Sequence, residues 1–111
     1  QLSLLENTFI RNKTSAKSIC DALLAPQPGS ITFPINQNTL TEGLKVSDAE
    51  VLDTIIKLAE NMKIVVEPGG AVAAAALFYN KINVKNKNVI VMISGGNIDF
   101  DFFHSIAKNN E

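Results

Sequence analysis

The sequence predicts an α/β fold in which helices flank a mainly parallel sheet, and three observations lead there. Hydrophobic period switches repeatedly between about 2 and 3.6 after Val46, giving strand, helix, strand, helix, strand, helix in order. The strand candidates "KIVVE" and "VIVMI" are near-continuous apolar runs, the pattern of strands covered on both faces. Each runs directly into glycine, as "EPGG" and "SGGN". Helices alternating with such strands favour parallel pairing.

The first half of the chain carries weaker signals. "TSAKSICDALLAP" reads as a short helix ended by Pro26. "QPGSITFPINQNTLTEG" holds a turn at Pro28-Gly29 and then a segment that reads equally as strand or helix. From "VSDAE" onward the signals sharpen. Ser47 and Glu50 have capping-box spacing, Asp48 adds an acid to the first turn, and Val51, Leu52, Ile55, Ile56, Ala59 and Met62 share one face.

Ile64–Val66 form the next strand, after which Pro68, Gly69 and Gly70 lead into "AVAAAALFYN". A helix so rich in alanine, with almost no polar face, is expected to be buried and to approach its neighbours closely. Asn80–Asn88 form a surface connection and Val89–Ile93 the strongest strand. "IDFDFFHSIAKNN" then makes an amphipathic helix capped by Asp99, with Phe102, Phe103 and Ile106 on or near its apolar face.

Composition narrows the function classes. With 111 residues, 46% of them hydrophobic, the chain is at most one globular domain with a modest core. A net charge of −1 and a pI near 5.8 lack the basic footprint of a nucleic-acid binder, and the Lys81, Lys85, Lys87 cluster reads as a solvated turn. One cysteine and one histidine argue against a Cys/His metal site and against an internal disulfide, with a reducing, cytoplasmic setting as the default. Cys20 reads as a small buried residue and His104 as a residue near a helix end; neither is assigned a role. No window reaches the roughly twenty apolar residues of a membrane span, and no signal-like segment opens the chain. Lacking an initiating Met, the chain reads as an excerpt of a longer protein.

In a parallel sheet, the ends of strands 64–66 and 89–93 share the carboxyl rim, where open α/β sheets bind ligands. Glycine pairs at such ends are often mere turns, and "SGGN" fits neither G-x-G-x-x-G nor the Walker loop. Glu67 beside a helix start discourages a phosphate there, or is simply a surface acid favoured at that position.

Four blocks, "SICDALLAPQPGSITFPIN", "VSDAEVLDTI", "VVEPGGAVAAAAL" and "VIVMISGGNID", in this order and at these separations, resemble the carboxy-terminal part of pyridoxal-phosphate-dependent serine/threonine dehydratases and related serine racemases. The set is specific although no single block is, and it spans almost the whole chain. The resemblance implies part of an open, mainly parallel twisted sheet with flanking helices, the incomplete large domain of a fold type II enzyme. It implies pyridoxal 5'-phosphate as cofactor, and L-threonine or L-serine as substrate, losing water and ammonia to give a 2-oxo acid. It assigns Ser94 to the pyridine nitrogen, against the alternative of a loop-capping hydroxyl. Gly95 and Gly96 would let the backbone pass the ring, Asn97 would fix the loop, Glu67 would lie near the ring, and Gly70 would start the buried helix. Asp21 and Ala22 would line the substrate side, Asp21 reading equally as a residue making a local hydrogen bond. Ala22 stands where relatives carry glycine, and "EPGGA" where "EPAGA" is commoner.

The family's Schiff-base lysine and glycine-rich phosphate loop match nothing in these residues, so no catalytic residue is assigned. The chain is therefore expected to be the carboxy-terminal portion of the cofactor-binding domain, inactive alone and needing the missing amino-terminal part. It is expected to belong to a homo-oligomeric parent, to lack an appended regulatory domain, and in isolation to self-associate through raw sheet edges. Rival readings are a phosphate- or nucleotide-binding module, a non-catalytic interaction domain, and a serine racemase-like enzyme.

Overall fold

Helix α3, Asp48–Met62, is the longest element, and its start follows from local chemistry. The Ser47 hydroxyl accepts from the Glu50 amide at 3.3 Å while Glu50 Oε2 accepts from the Ser47 amide at 2.7 Å, the reciprocal box expected from the spacing. Its end is less comfortable: Lys63 adopts a left-handed φ of 58° and its amide bonds back to the Ala59 carbonyl at 3.1 Å, a position that glycine fills most easily. The inward face is built from Val51, Ile55, Ile56 and Leu58, with Thr54 buried among them and its hydroxyl returned to the Glu50 carbonyl. Met62, expected on that face, is exposed because the helix has outrun its neighbours by then.

The computed structural model of the protein describes residues 1–12 and 16–108. Its other helices are α1 (Leu2–Leu5), α2 (Thr32–Thr39), α4 (Pro68–Phe78) and α5 (Phe100–Lys108), with a single 3-10 turn at Asp21–Leu23. Helix α4 has Pro68 in its first turn and buries Gly70, Ala71, Ala74, Ala75 and Ala76, so that small side chains bring it close to α3 as expected. Asn80, at φ 53°, closes it: the Lys81 amide reaches the Ala76 carbonyl and the Asn80 amide the Leu77 carbonyl, a Schellman motif with asparagine in the left-handed position. Helix α5 is capped by Asp99, whose Oδ1 accepts from the Phe102 amide at 2.8 Å, and it anchors through Ile106. Asn109 and Asn110 of the expected last helix lie outside the described residues.

Polar bridges tie α4 to α3 outside the apolar contact. The Tyr79 hydroxyl donates to Asp53 Oδ2 at 2.6 Å, Lys57 reaches the same oxygen at 2.6 Å, and Lys81 pairs with Glu50 at 2.6 Å. Burial opposes the charge on Asp53, yet Lys57 and Tyr79 outweigh it and hold the carboxyl below its ordinary range.

Two sequence expectations differ from the structure here. The helix read from "TSAKSICDALLAP" is reduced to the 3-10 turn; Thr14 and Ser15 lie outside the described residues. Asp48 explains the remainder: its carboxylate accepts from Ser18 Oγ at 2.6 Å and from the Ile19 amide at 3.2 Å, pulling these residues onto the start of α3 rather than into a helix of their own. The ambiguous segment after Gly29 is helical, as α2, held by a buried Phe33 whose ring meets Phe9 at 4.6 Å between centroids.

The second difference concerns the sheet. Residues 64–66 and 89–93, expected as strands, form no strand among the described residues. Their alternation is nonetheless clear: Ile64, Val66, Val91 and Ile93 pack on the core, while Val65, Ile90 and Met92 face outward, Ile90 at 94% exposure. A single backbone bond, Glu67 N–H to the Gly95 carbonyl at 3.0 Å, joins the two segments. Strands persist through repeated bonds to neighbours on both edges, and a three-residue run with one neighbour cannot build a ladder. The layer is consequently thin: the radius of gyration is 15.2 Å, against about 13 Å for a compact chain of this length, and the shortest dimension is 19 Å.

Candidate functional site: a glycine turn between two clefts

The turn Ser94–Asn97 lies against the start of α4, and the glycines are required by neighbouring protein atoms. A Cβ on Gly70 would stand 2.7 Å from the Gly95 carbonyl oxygen and 2.9 Å from its nitrogen. A Cβ on Gly96 would stand 2.9 Å from the Val65 carbonyl oxygen. On Gly95 it would meet the Glu67 carboxyl carbon at 2.6 Å. All four distances are shorter than real Cβ contacts; at Gly70 and Gly96 the neighbours are backbone atoms, so only glycine fits, whereas at Gly95 the Glu67 side chain would have to move.

Glu67 is bound to this turn at both ends. Its amide donates to the Gly95 carbonyl, and its Oε2 accepts from the Asn97 amide at 3.0 Å. Its own carbonyl receives the Gly70 and Ala71 amides that begin α4.

Ser94 is exposed, and among the described residues its hydroxyl makes no hydrogen bond. It lies at the edge of an apolar cleft of about 580 Å³, walled by Gly69, Gly70 and Val72 of α4 and by Leu23, Ile90 and Met92. A second cleft, of about 540 Å³, is lined by Asp21, Glu67, Asn97, Asp99 and Phe102 among others. The structure thus brings Ser94, Gly95, Gly96, Asn97, Glu67 and Gly70 together, while placing Ser94 and Asp21 in different clefts. Asp21 Oδ1 accepts from the Ala22 amide at 2.7 Å, the local bond foreseen as its alternative. Ala22 touches α4: a Cβ on Gly69 would lie 3.4 Å from the Ala22 methyl, an ordinary contact.

Cys20 is buried as expected. Burial pushes its thiol above the ordinary value; the Ser18 hydroxyl works against this, and the Asp48 and Asp21 carboxylates add to the rise. His104 is exposed on α5. Among the described residues no group of three or more His, Cys, Asp or Glu is arranged to hold a metal, and no helix is long and apolar enough to cross a membrane. Sequence reasoning missed Asp48 as the anchor of the Ser18–Leu23 segment, since its partners lie 30 residues earlier and no periodicity marks them.

Comparison with known proteins decides the family: residues 3–95 match the family described as pyridoxal-phosphate dependent enzyme. The chain belongs to that family. It is 38% identical over 91 residues to an L-threonine ammonia-lyase of Thermotoga maritima, covering 82% of this chain and 22% of that protein. It is 40% identical over 93 residues to a serine racemase of Schizosaccharomyces pombe, covering 83% of this chain and 29% of the relative. The fold superposes with a TM-score of 0.81 on a crystal structure of a threonine deaminase of T.th., at 29% identity over 89% of this chain and 33% of the solved one. This supports the expected α/β, fold type II architecture at the level of class, although the sheet is not formed within the described residues. The chain spans between about a fifth and a third of these proteins.

Enzymes of this family use pyridoxal phosphate. The residues present fit one side of that group: an unpartnered neutral hydroxyl beside an apolar cleft suits the nitrogen edge and face of a pyridine ring. Among the described residues neither cleft is lined by lysine, arginine or histidine, so the fit covers the ring and not the phosphate.

Proposed function

We propose that residues 1–111 are the carboxy-terminal, ring-facing portion of the cofactor domain of a threonine or serine ammonia-lyase. The observation that carries this is the free Ser94 hydroxyl, held on a turn whose backbone is set by Gly70, Gly95 and Glu67 at the mouth of an apolar cleft. The family membership and the L-threonine ammonia-lyase relative support the reaction class.

When bound, pyridoxal phosphate supplies the electron withdrawal that makes an amino acid's α-hydrogen acidic. The chain's residues tune and shelter that chemistry. A serine hydroxyl can donate to an unprotonated ring nitrogen without carrying charge, so it tolerates the neutral ring and keeps the withdrawal moderate. Moderate withdrawal suits loss of a β-hydroxyl, in which charge is passed on to the leaving group rather than stored. Val72, Ile90 and Met92 supply the apolar lining against which the ring face would lie. The base at the α-carbon and the cations for the phosphate come from residues outside this segment, so the segment alone is inactive. Asp21 and Ala22 border the substrate side. In the whole protein we expect a cytoplasmic homo-oligomer acting on a small hydroxy amino acid.

A serine racemase-like reaction is the second reading, favoured by the 40% identity to the Schizosaccharomyces pombe enzyme. Co-expression of this chain with the amino-terminal portion of the Thermotoga maritima ammonia-lyase tests both. Recovered cofactor absorbance and 2-oxo acid formation from L-threonine or L-serine support the lyase; D-serine formation from L-serine in its place supports the racemase. Indifference of cofactor binding to Ser94→Ala and Ser94→Asp would remove the ring contact.

A further inference from the structure

We infer that Glu67 is a positioning residue, which sets the place of the Ser94 hydroxyl by gripping the far end of the same turn. This rests on the ring contact proposed for Ser94 and gives a role on the turn to Glu67, expected from the sequence to lie near the ring. Glu67 lines a different cleft from Ser94, and its Oε2 is occupied by the Asn97 amide at 3.0 Å. Its reach is prearranged: preceding Pro68, Glu67 is confined to extended backbone, here φ −72° and ψ 158°, and its side chain makes no cap bond to α4, which leaves it for the turn. A charged acceptor makes the bond to the Asn97 amide stronger than a neutral one would.

The first grip falls on Gly95, the residue next to Ser94, and the second on Asn97, three positions along. Gly95 is held through its carbonyl by the Glu67 amide and pressed by the Glu67 carboxylate, while its backbone lies on Gly70. Asn97 is exposed, so removing the carboxylate leaves its amide to water and does not orphan a buried donor. The consequence is a loosened turn and a wandering hydroxyl, with little loss of global stability.

The test uses the holoenzyme assembled from this chain and its amino-terminal complement, read by pyridoxal phosphate titration, cofactor absorbance and amide exchange at residues 94–97. Glu67→Ala should weaken cofactor affinity about tenfold, shift the absorbance, and speed exchange at Asn97 by a similar factor. Glu67→Gln keeps an acceptor oxygen and should recover most of both, while thermal unfolding changes little in either variant. In a Ser94→Ala background Glu67→Ala should cost nothing further. Additive losses, a Gln variant as poor as Ala, or unchanged exchange at Asn97 would each overturn the assignment. If Ser94→Ala itself leaves cofactor binding intact, the functional reading fails separately, and the exchange measurement still decides the grip on the turn.

Discussion

Two adjacent glycines at the start of α4 offer an internally controlled perturbation, because the same methyl group meets different surroundings at each. At Gly70 a Cβ would lie 2.7 Å and 2.9 Å from the carbonyl oxygen and nitrogen of Gly95, which are backbone atoms and cannot rotate away. At Gly69 the nearest atom is the Ala22 methyl at 3.4 Å, ordinary packing distance. Alanine gains up to about 1 kcal/mol over glycine in a helix, and less in the first turn. Against this, forcing a methyl into a filled space costs about 1–3 kcal/mol. Gly69→Ala should therefore be neutral or stabilising by up to about 1 kcal/mol, and Gly70→Ala destabilising by about 0–3 kcal/mol net, with the two separated by about 1–3 kcal/mol. Urea unfolding of the complemented protein gives the difference directly, and cofactor titration gives a second reading, since only Gly70→Ala displaces the turn that carries Ser94. Equal stability and equal cofactor affinity of the two variants would refute the claim that backbone contact explains Gly70.

Lys63→Gly should stabilise the protein by about 0.5–1 kcal/mol in denaturant unfolding, because the left-handed φ of 58° carries no penalty for glycine. The Glu50 carboxyl is held below its ordinary value by Lys81 first and by the Ser47 amide next. The stability it contributes is thus fully present above pH 4.5 and lost as pH falls through the lower folded value; Glu50→Gln should flatten that part of the pH profile below pH 4.5, followed by circular dichroism. Ile90 and Met92, 94% and 71% exposed on a segment without ladder partners, should drive self-association of the isolated chain. Replacing both with lysine should return it to a monomer by light scattering, and an unchanged mass would place the contact elsewhere.

What could be read from sequence was what depends on residues a few positions apart. The Ser47–Glu50 box, the Asp99 cap and the alanine-rich burial of α4 each follow from spacings of one helical turn, and each is found. The apolar runs at 64–66 and 89–93 read as strands covered on both faces, but the structure buries alternate residues and builds no ladder, because hydrogen bonds between strands belong to partners and among the described residues a single backbone bond, Glu67 to Gly95, links the chain just beyond the two runs. The site divides in the same way. Ser94, Gly95, Gly96 and Asn97 announce a turn by composition, whereas the grip of Glu67 on that turn and of Asp48 on Ser18 spans 30 residues in each case. Local propensity is written into the chain itself; contacts between distant segments exist only once the core of α3 and α4 has brought them within reach, and that is why tertiary structure alone decided where the Glu67 carboxylate would stand.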